Sequence, residues 1–165
     1  MIIHKADIND IDEIVNIIDD TKKLFKKEGI PQWQNGYPEK IDFLKDLDLG
    51  NLYVVKDNDV VIGTFTLLDF DPNYLYIENG KWLNDTPYVA IHRLAIKELY
   101  KRKGVATSII EYVKSRYNHI RIDTHKLNIP MKNLIVKNGF QYCGIVYMED
   151  KTKRNAYEFA KENVI

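Results

Sequence analysis

The sequence has few of the features that mark secreted, membrane or nucleic-acid-binding proteins. Cys143 is the single cysteine among 165 residues, so no intrachain disulfide can form, and no Cys/His set has the spacing of a zinc site. The 24 Lys and Arg residues balance 24 Asp and Glu residues, which disfavours a general nucleic-acid partner because such proteins normally carry a basic excess. No apolar run approaches the length of a membrane span or a signal peptide. The sequence therefore predicts a cytoplasmic protein with no metal, no membrane anchor and no nucleic-acid partner.

Two common phosphate-binding patterns are also absent, namely the P-loop G-x-x-x-x-G-K-S/T and the dinucleotide motif G-x-G-x-x-G. A different anion site is predicted where the apolar run 91–96 is followed by the basic turn 101–104 and then by an amphipathic helix. The first N–H groups of a helix lack intrahelical partners, and the helix dipole makes that end partly positive. Gly104 has no side chain that would keep an anion away. Residues 101–107 are therefore predicted to bind a pyrophosphate.

This stretch carries a resemblance to a known family. Lys101 to Ala106 fit the acetyl-coenzyme A signature Q/R-x-x-G-x-G/A, with lysine at the first position. Downstream, Asp123-Thr124-His125 ends a predicted strand, Asn128 opens a helix that closes as Lys137-Asn138-Gly139-Phe140, and a strand over 142–147 follows. In this motif and this order the chain resembles the GCN5-related N-acetyltransferase (GNAT) family, and the resemblance covers nearly all of the chain.

The predicted elements agree with that resemblance. Periodicity and turn signals predict the order β-α-α-β-β-β-α-β-α-β-β. Local signals predict a capping box at Asp7 and Asp10, where the first helix begins, and a separate helical piece near 22–28 that stops at Gly29. A helix is predicted from Pro38 to about Leu47, with Ile41, Leu44 and Leu47 facing inward. A hairpin is predicted across 57–59, and a small hairpin around Asn79-Gly80. The resemblance implies an α/β (α+β) GNAT fold in a single domain over 1–165. That fold has a mixed, mostly antiparallel sheet with helices on both faces and splayed central strands.

The resemblance also implies a reaction, the transfer of the acetyl group of acetyl-CoA to a primary amine without a metal. In this family the pantetheine arm lies between two splayed strands, here 88–96 and 120–124. A backbone N–H near Leu94 is expected to stabilise the developing oxyanion, so Leu94 counts as catalytic. The implied cofactor-binding residues are Leu94, Ile96, Lys101, Arg102, Lys103, Gly104, Val105, Ala106, Thr107 and Asn128, the last of which is also expected to cap its helix.

The acceptor nitrogen must be neutral before it can attack. A lysine-like amine with a pKa of about 10.4 is neutral in roughly one molecule per 10³ at pH 7, so a nearby base helps. His92 is the first candidate because it precedes the cofactor-contacting residues of the central strand, and a purely packed, hydrogen-bonded histidine is the alternative. Glu78 and His125 are weaker candidates, since a hairpin carboxylate and a cap of the strand–helix turn explain them equally well.

The leaving thiolate needs a proton, which many family members take from a tyrosine in the last full helix. Ile135 stands at that position here. Tyr142 or Tyr147 is the candidate substitute, with packing or an outward orientation as the alternative for each. Coenzyme A thiol, with a pKa of about 8.5 as for an ordinary thiol, can also leave as the thiolate or take a proton from water. Cys143 is not needed by direct transfer and is predicted to be a small buried strand residue.

The aromatic residues that precede the cofactor motif are predicted to face the acceptor. Trp33, Tyr37 and Trp82 are the predicted substrate-binding residues, because aromatic walls hold apolar or cationic amines by burial and cation–π contact. Packing beneath an irregular lid and a dimer contact are the alternatives. Arg93 is predicted to bind an acceptor carboxylate, with a salt bridge to one of the chain's acids as the alternative.

Three functions remain compatible with these residues. The first is an N-acetyltransferase acting on a small-molecule amine, and the second is an acetyltransferase acting on a protein N-terminus or lysine. The third is an acyl-CoA-binding sensor or interaction module without turnover, which the missing helix tyrosine favours. A small amine is the expected partner, a peptide acceptor is the alternative, and the chain is expected to be a monomer or a homodimer.

Overall fold

The computed structural model describes residues 1–161, which form two compact units. The first unit comprises Met1–Leu67 and His92–Ile109, and the second comprises Leu68–Ile91 and the chain from Ile110 onward. The predicted domain runs to residue 165, and its last four residues, 162–165, lie outside the described residues. That residues 1–165 make one GNAT domain stays a prediction.

Within residues 1–161, seven strands and four helices follow one another in the predicted order. The strands are β1 (Ile2–Lys5), β2 (Leu52–Asp57), β3 (Val60–Leu68), β4 (Val89–Ile96), β5 (His119–Thr124), β6 (Gln141–Tyr147) and β7 (Lys153–Ala160). The helices are α1 (Ile11–Lys27), α2 (Lys40–Asp48), α3 (Val105–Lys114) and α4 (Ile129–Lys137). Short 3-10 helices occupy Ile8–Asp10, Pro72–Leu75 and Glu98–Tyr100. Within residues 1–161, none of the helices is both long and apolar enough to cross a membrane.

The strands form one sheet in the order β1-β2-β3-β4-β5-β7-β6. The pairs β1–β2, β2–β3, β5–β7 and β6–β7 are antiparallel, and the pair β4–β5 is parallel. The parallel ladder runs from Val89↔Ile120 to Ile91↔Ile122. The predicted mixed, mostly antiparallel sheet is confirmed.

In the first unit, α1 covers the sheet with an apolar stripe. The predicted capping box precedes the helix. The Asp7 side chain accepts the backbone N–H of Asp10, and the Asp10 side chain accepts the backbone N–H of Asp7. The stripe joins a core made of Ile11, Ile14, Ile17, Ile18, Phe43, Leu52, Val54, Val61 and Ala95. Apolar burial of this kind contributes about 25 cal/mol per Å² removed from water.

The predicted break within α1 is wrong, because the helix is continuous to Lys27. Thr21 is buried, and its hydroxyl donates to the Ile17 carbonyl at 2.8 Å, so the helix satisfies this polar group internally. The end at Gly29 is as predicted. Gly29 has φ +71° and donates to the Lys26 carbonyl, while Ile30 donates to the Phe25 carbonyl, which is the pairing of a Schellman motif.

The predicted helix at Pro38 begins two residues later, and its buried face differs from the expected one. Glu39 is the N-cap and forms a reciprocal capping box with Asp42. Ile41, predicted to point inward, is 58% exposed, whereas Phe43 and Asp46 are buried. A buried aspartate on a helix needs a partner, because an unpaired charge away from water is strongly unfavourable.

In the second unit, β5 and β7 pair from His119↔Ala160 to Thr124↔Asn155, and β6 pairs with the other edge of β7. Tyr74, Ala90, Val146 and Ala156 form a small core there, with Leu68, Ile77, Trp82, Tyr88 and Met148 packed against it.

The predicted Asn79-Gly80 hairpin is not formed. Glu78 instead makes an isolated antiparallel bridge with Ile145 of β6, with both N–H···O distances at 2.8 Å. Gly80 then passes so close to β6 that a Cβ added to it would stand 1.8 Å from the Cys143 carbonyl oxygen. The glycine permits this approach of two backbones. Glu78 therefore pairs with the open edge of β6, although the local turn signal predicted that it would pair within a hairpin.

Gly80→Ala is expected to lower the free energy of unfolding by about 1–3 kcal/mol, because the added methyl group collides with backbone and the bridge must shift. Equilibrium urea unfolding checks this. Lys81→Ala, on the exposed neighbouring residue, is the control and should stay within about 0.5 kcal/mol of the parent. Equal stabilities for the Gly80→Ala variant and the parent would contradict the close approach.

Candidate active site

The turn before α3 has the geometry of an anion cradle. Gly104 has φ +82°, and among the described residues nothing lies within 4 Å of a Cβ built on it. The first hydrogen bond of the helical pattern runs from the Ser108 N–H to the Gly104 carbonyl at 3.0 Å. The N–H groups of the preceding turn are therefore those that a helix N-terminus leaves without intrahelical partners. Val105 is buried and anchors the helix, while Ala106 and Thr107 are half-buried. The space in front of the helix is therefore open on the side that an anion needs.

The charges of this turn are accessible. Arg102 and Lys103 are exposed, and the left-handed φ of +62° at Arg102 gives the turn its tight shape. Lys101 pairs with Glu98 at 2.9 Å, a surface pair of small energy that an incoming phosphate can replace. The Lys103 ammonium lies 5.5 Å from the centre of the Tyr100 ring. These residues fit a diphosphate, because they surround an unobstructed helix N-terminus with cations.

Arg93, next to the predicted cofactor-contacting residues, is in an unusual backbone conformation. It has φ +51° within β4, a left-handed conformation that costs a non-glycine residue about 1–3 kcal/mol. Such a residue interrupts the alternation of a strand and redirects the peptide groups on either side of it. Leu94 follows immediately, and Leu94 and Ile96 are both buried on β4. The conformation of Arg93 therefore sets the direction of main-chain groups that the sequence assigns to the cofactor.

The Arg93 guanidinium is held by the buried Asp46 of α2. Nε donates to Oδ2 at 2.9 Å and Nη2 donates to Oδ1 at 2.7 Å, and the two side chains are only 13% and 6% exposed. The Thr66 hydroxyl donates to the same Oδ2 at 2.8 Å. Nη1 donates to the Tyr37 hydroxyl. The salt bridge that was the alternative for Arg93 is thus present, and binding of an acceptor carboxylate by Arg93 stays a prediction.

The pKa values in this cluster follow from its burial and its charges. Burial by itself lowers the pKa of Arg93, but the hydrogen bonds and charges of Asp46 and Tyr37 outweigh it, so the pKa is raised above its ordinary value. Burial raises the pKa of the Tyr37 hydroxyl against the opposing effect of the Arg93 cation. Both groups therefore keep their protons throughout the neutral pH range.

The remaining predicted residues of the first unit are His92 and Trp33. His92 is half-buried on β4, one residue before Arg93. Trp33 has φ +62°, packs against the first unit's core and lies 5.5 Å from Phe25, ring centre to ring centre. The first unit therefore holds His92, Arg93, Leu94, Ile96, residues 101–107, Trp33 and Tyr37. Among these, Tyr37 and Arg93 are in direct contact.

The second unit holds the other predicted cofactor residue, Asn128. It is buried and is the N-cap of α4, where Oδ1 accepts the Met131 N–H at 3.4 Å. Its capping role is confirmed, and its contact with pantetheine stays a prediction. His125 Nδ1 accepts the Leu127 N–H at 3.1 Å, as expected for a cap of this turn. Burial, together with the Arg154 and Lys126 charges, lowers the pKa of His125.

Trp82 is fixed by a buried charge cluster that sequence reasoning missed. Its Nε1 donates to the Tyr74 carbonyl at 2.8 Å, and the Arg121 guanidinium lies 4.1 Å from its ring centre. Arg121 Nη2 donates to the Asn84 carbonyl at 2.9 Å, and its Nε donates to Glu158 at 3.4 Å. Fully buried Glu158 also accepts the Leu83 N–H at 2.6 Å and pairs with His119. The segment that carries Trp82 is therefore tied to β5 and β7.

A signal for this cluster is present in the sequence. His119 and Arg121 are two residues apart on β5, so they face the same side of the strand, and Arg121 is the register partner of Glu158. Charged residues at same-face positions of an otherwise apolar strand indicate a paired, buried group. The pairing itself depends on which strands become neighbours.

The predicted acid candidates lie on β6. Tyr142 is 46% exposed, with its ring edge-on to Tyr157 at 5.6 Å. Tyr147 donates its hydroxyl to Glu78 at 2.8 Å, and this hydrogen bond raises the pKa of Tyr147. Ile135, at the position where the family resemblance implies a tyrosine, is fully buried in α4. A proton-donating role for Tyr142 stays a prediction.

Cys143 is a buried strand cysteine, as predicted. Burial and the neighbouring Glu158 charge raise the pKa of its thiol to about 12, so it is protonated at neutral pH. A protonated, buried thiol is a poor nucleophile.

Comparisons with known proteins identify the family and agree with the fold. The model of the Acetyltransferase (GNAT) family matches residues 16–140. A GNAT-family acetyltransferase structure from Streptococcus agalactiae 2603 is 31% identical with a TM-score of 0.91, covering 98% of this chain and 96% of that chain. A structure from Staphylococcus aureus Mu50 is 26% identical with a TM-score of 0.72, covering 97% and 99%. None of the curated proteins compared with the chain matches it.

Structures with lower sequence identity share the fold alone. The ribosomal-protein-alanine N-acetyltransferase from Brucella melitensis is 14% identical with a TM-score of 0.67, covering 97% of this chain and 99% of that chain. Fold and sequence together define an acyl-CoA-dependent acetyltransferase. The chain belongs to the GNAT family, which uses acetyl-CoA as its co-substrate.

Gly104→Asp is expected to abolish measurable acetyl-CoA binding in calorimetry, because it places a carboxylate and a strained left-handed side chain beside the diphosphate. Gly29→Asp is the matched control. Gly29 has φ +71° and equally open surroundings among the described residues, and it lies at the far end of α1. This variant should show similar backbone strain and an unchanged affinity. Unchanged affinity in Gly104→Asp, or equal losses in both variants, would contradict a cradle at 101–107.

Proposed function

We propose that this protein transfers the acetyl group of acetyl-CoA to the primary amine of a small molecule by direct attack. The observation that carries the proposal is the open, cationic turn at 101–104 in front of α3, in a chain that belongs to an acetyltransferase family. The roles of the individual residues follow from the chemistry that this reaction requires.

The cofactor-binding residues divide into two sets. The N–H groups of Gly104, Val105, Ala106 and Thr107, with the cations of Lys101, Arg102 and Lys103, hold the diphosphate. Main-chain groups of Leu94 and Ile96 and the side chain of Asn128 hold the pantetheine arm. When bound, acetyl-CoA supplies an activated thioester carbonyl.

His92 and the main chain of β4 then assist the transfer. The acceptor ammonium gives its first proton to His92, and the neutral nitrogen forms a bond to the thioester carbon as the C–S bond breaks. The nitrogen loses its second proton to solvent as the amide forms. A main-chain N–H near Leu94 stabilises the charge that develops on the carbonyl oxygen. Tyr142, or a water molecule, returns a proton to the sulfur.

The aromatic residues support a small amine as the acceptor. Trp33 and Tyr37 lie in the irregular segment between α1 and α2, and Trp82 is held rigidly by Tyr74 and Arg121. Rigid aromatic side chains bind a cationic or apolar amine with little loss of conformational entropy. The proposal includes a monomer or a homodimer as the oligomeric state. It places the protein in the cytoplasm, because the reaction consumes acetyl-CoA.

Two other functions are favoured by single observations. Likeness to the Brucella melitensis enzyme, whose name specifies a ribosomal-protein alanine, favours a protein N-terminus or lysine as acceptor. Ile135 in place of the helix tyrosine favours a sensor that binds acyl-CoA without turnover.

An assay of the purified protein with acetyl-CoA against a panel of small amines and peptides, read by thiol release and product mass, separates the three. We expect thiol release that depends on a small amine. Turnover only with peptides would favour the protein acetyltransferase. Calorimetric binding of acetyl-CoA without thiol release from any acceptor would establish the sensor and contradict the proposal.

His92→Gln is expected to slow turnover most at acidic pH. Without the base, the reaction depends on the free-amine fraction, which rises about tenfold per pH unit towards the amine pKa of about 10.4. The ratio of parent to variant rates should therefore shrink as the pH rises, which a pH–rate profile measures. His4→Gln on β1 is the matched control and should leave the profile unchanged. A parallel profile for His92→Gln removes histidine from the base role.

A further inference from the structure

We propose that Asp46, Thr66 and Arg93, hereafter the β4 clamp, are positioning residues that fix the main chain of β4 for acetyl transfer. The inference rests on the proposed function, because it concerns the main-chain groups near Leu94 that face the thioester. None of the three side chains is required to touch the substrate.

Arg93 needs outside contacts to keep its backbone conformation. With φ +51° inside a strand it holds a conformation that only glycine adopts freely. Its guanidinium is a planar fork bound at two points, Nε to Oδ2 and Nη2 to Oδ1 of Asp46. A two-point bond fixes the orientation of the guanidinium as well as its position, which a single-point bond from lysine does not.

The anchor of this guanidinium is itself rigid. Asp46 is buried in α2, three residues after the fully buried Phe43, so the helix face that carries it is packed in the core. The Thr66 hydroxyl of β3 donates to Asp46 Oδ2 at 2.8 Å, the oxygen that also accepts Arg93 Nε. The carboxylate is thus fixed from α2 and from β3 before it binds β4.

The backbone of Arg93 connects the clamp to the reaction. The peptide groups on either side of Arg93 turn with its backbone torsions, and the second of them carries the N–H of Leu94. An oxyanion donor must be aimed in advance to be effective, because reorientation during the reaction loses its benefit. The diphosphate is bound separately at 101–107. Loosening the clamp should therefore lower kcat and leave acetyl-CoA binding nearly intact.

The same guanidinium also reaches the acceptor side. Arg93 Nη1 donates to the Tyr37 hydroxyl, and the guanidinium carbon lies 5.9 Å from the Tyr37 ring centre. Tyr37 belongs to the segment proposed to contact the amine. A loosened Arg93 should therefore raise the KM for the amine in addition to lowering kcat.

The test compares Asp46→Asn and Arg93→Lys with the parent in steady-state kinetics, using the amine that gives the fastest turnover in the panel. We expect kcat to fall at least about tenfold, towards the roughly 10²–10³ that loss of an oxyanion donor costs. The KM for acetyl-CoA should stay within about twofold. Asp10→Asn is the matched control, because Asp10 is 5% exposed and pairs with Lys56 at 2.9 Å in the same unit. It should leave kcat unchanged.

Each outcome decides one question. An inactive parent protein contradicts the proposed function, whereas an active parent with unchanged kcat in Asp46→Asn and Arg93→Lys overturns the clamp alone. Equal losses of kcat in Asp10→Asn and Asp46→Asn also overturn it, because general destabilisation would then explain both losses.

If circular dichroism shows that Asp46→Asn does not fold, Thr66→Val tests the clamp instead, because it leaves the ion pair in place. A severalfold lower kcat with unchanged acetyl-CoA affinity supports the clamp, and an unchanged kcat refutes it.

Discussion

The buried ion pair between Asp46 and Arg93 is the interaction on which the geometry of β4 depends. The left-handed conformation of Arg93 costs about 1–3 kcal/mol, whereas removing one partner of a buried pair costs about 3–5 kcal/mol. Relaxation of the Arg93 backbone would leave Asp46 as a buried charge without its partner, and that penalty exceeds the strain of the left-handed conformation. The side chains are 13% and 6% exposed, so solvent weakens this pair much less than it weakens the surface pair of Lys101 and Glu98.

Each unit uses one buried carboxylate to hold an irregular segment. In the first unit, Asp46 binds Arg93, which in turn binds Tyr37 of the segment between α1 and α2. In the second unit, Glu158 accepts the Leu83 N–H and pairs with Arg121, which covers the face of Trp82. Loops fixed in this way lose little further entropy when a ligand binds. These irregular segments are thus pre-organised by charge in addition to apolar packing.

Local signals were sufficient wherever the structure is decided locally. The capping box at Asp7 and Asp10, the hairpin across 57–59 and the end of α1 at Gly29 all depend on contacts within a few residues, and each was predictable. The hairpin at Asn79-Gly80 failed because Glu78 found its partner at Ile145 instead. Asp46 was missed because Arg93 lies 47 residues further along the chain. The open left-handed turn at Gly104 also depends on local contacts, whereas diphosphate binding at 101–107 stays a prediction.

The absence of the usual helix tyrosine is compatible with turnover on energetic grounds. Ile135 is fully buried in α4, so this position offers the reaction no proton. At pH 7 a thiol of pKa about 8.5 gains only about 2 kcal/mol from protonation of its thiolate, whereas an amine of pKa about 10.4 loses about 4–5 kcal/mol on deprotonation. The reaction therefore needs help with the acceptor proton more than with the leaving group. In the proposed mechanism, His92 beside the fixed main chain of β4 is the residue that would meet the larger of the two requirements.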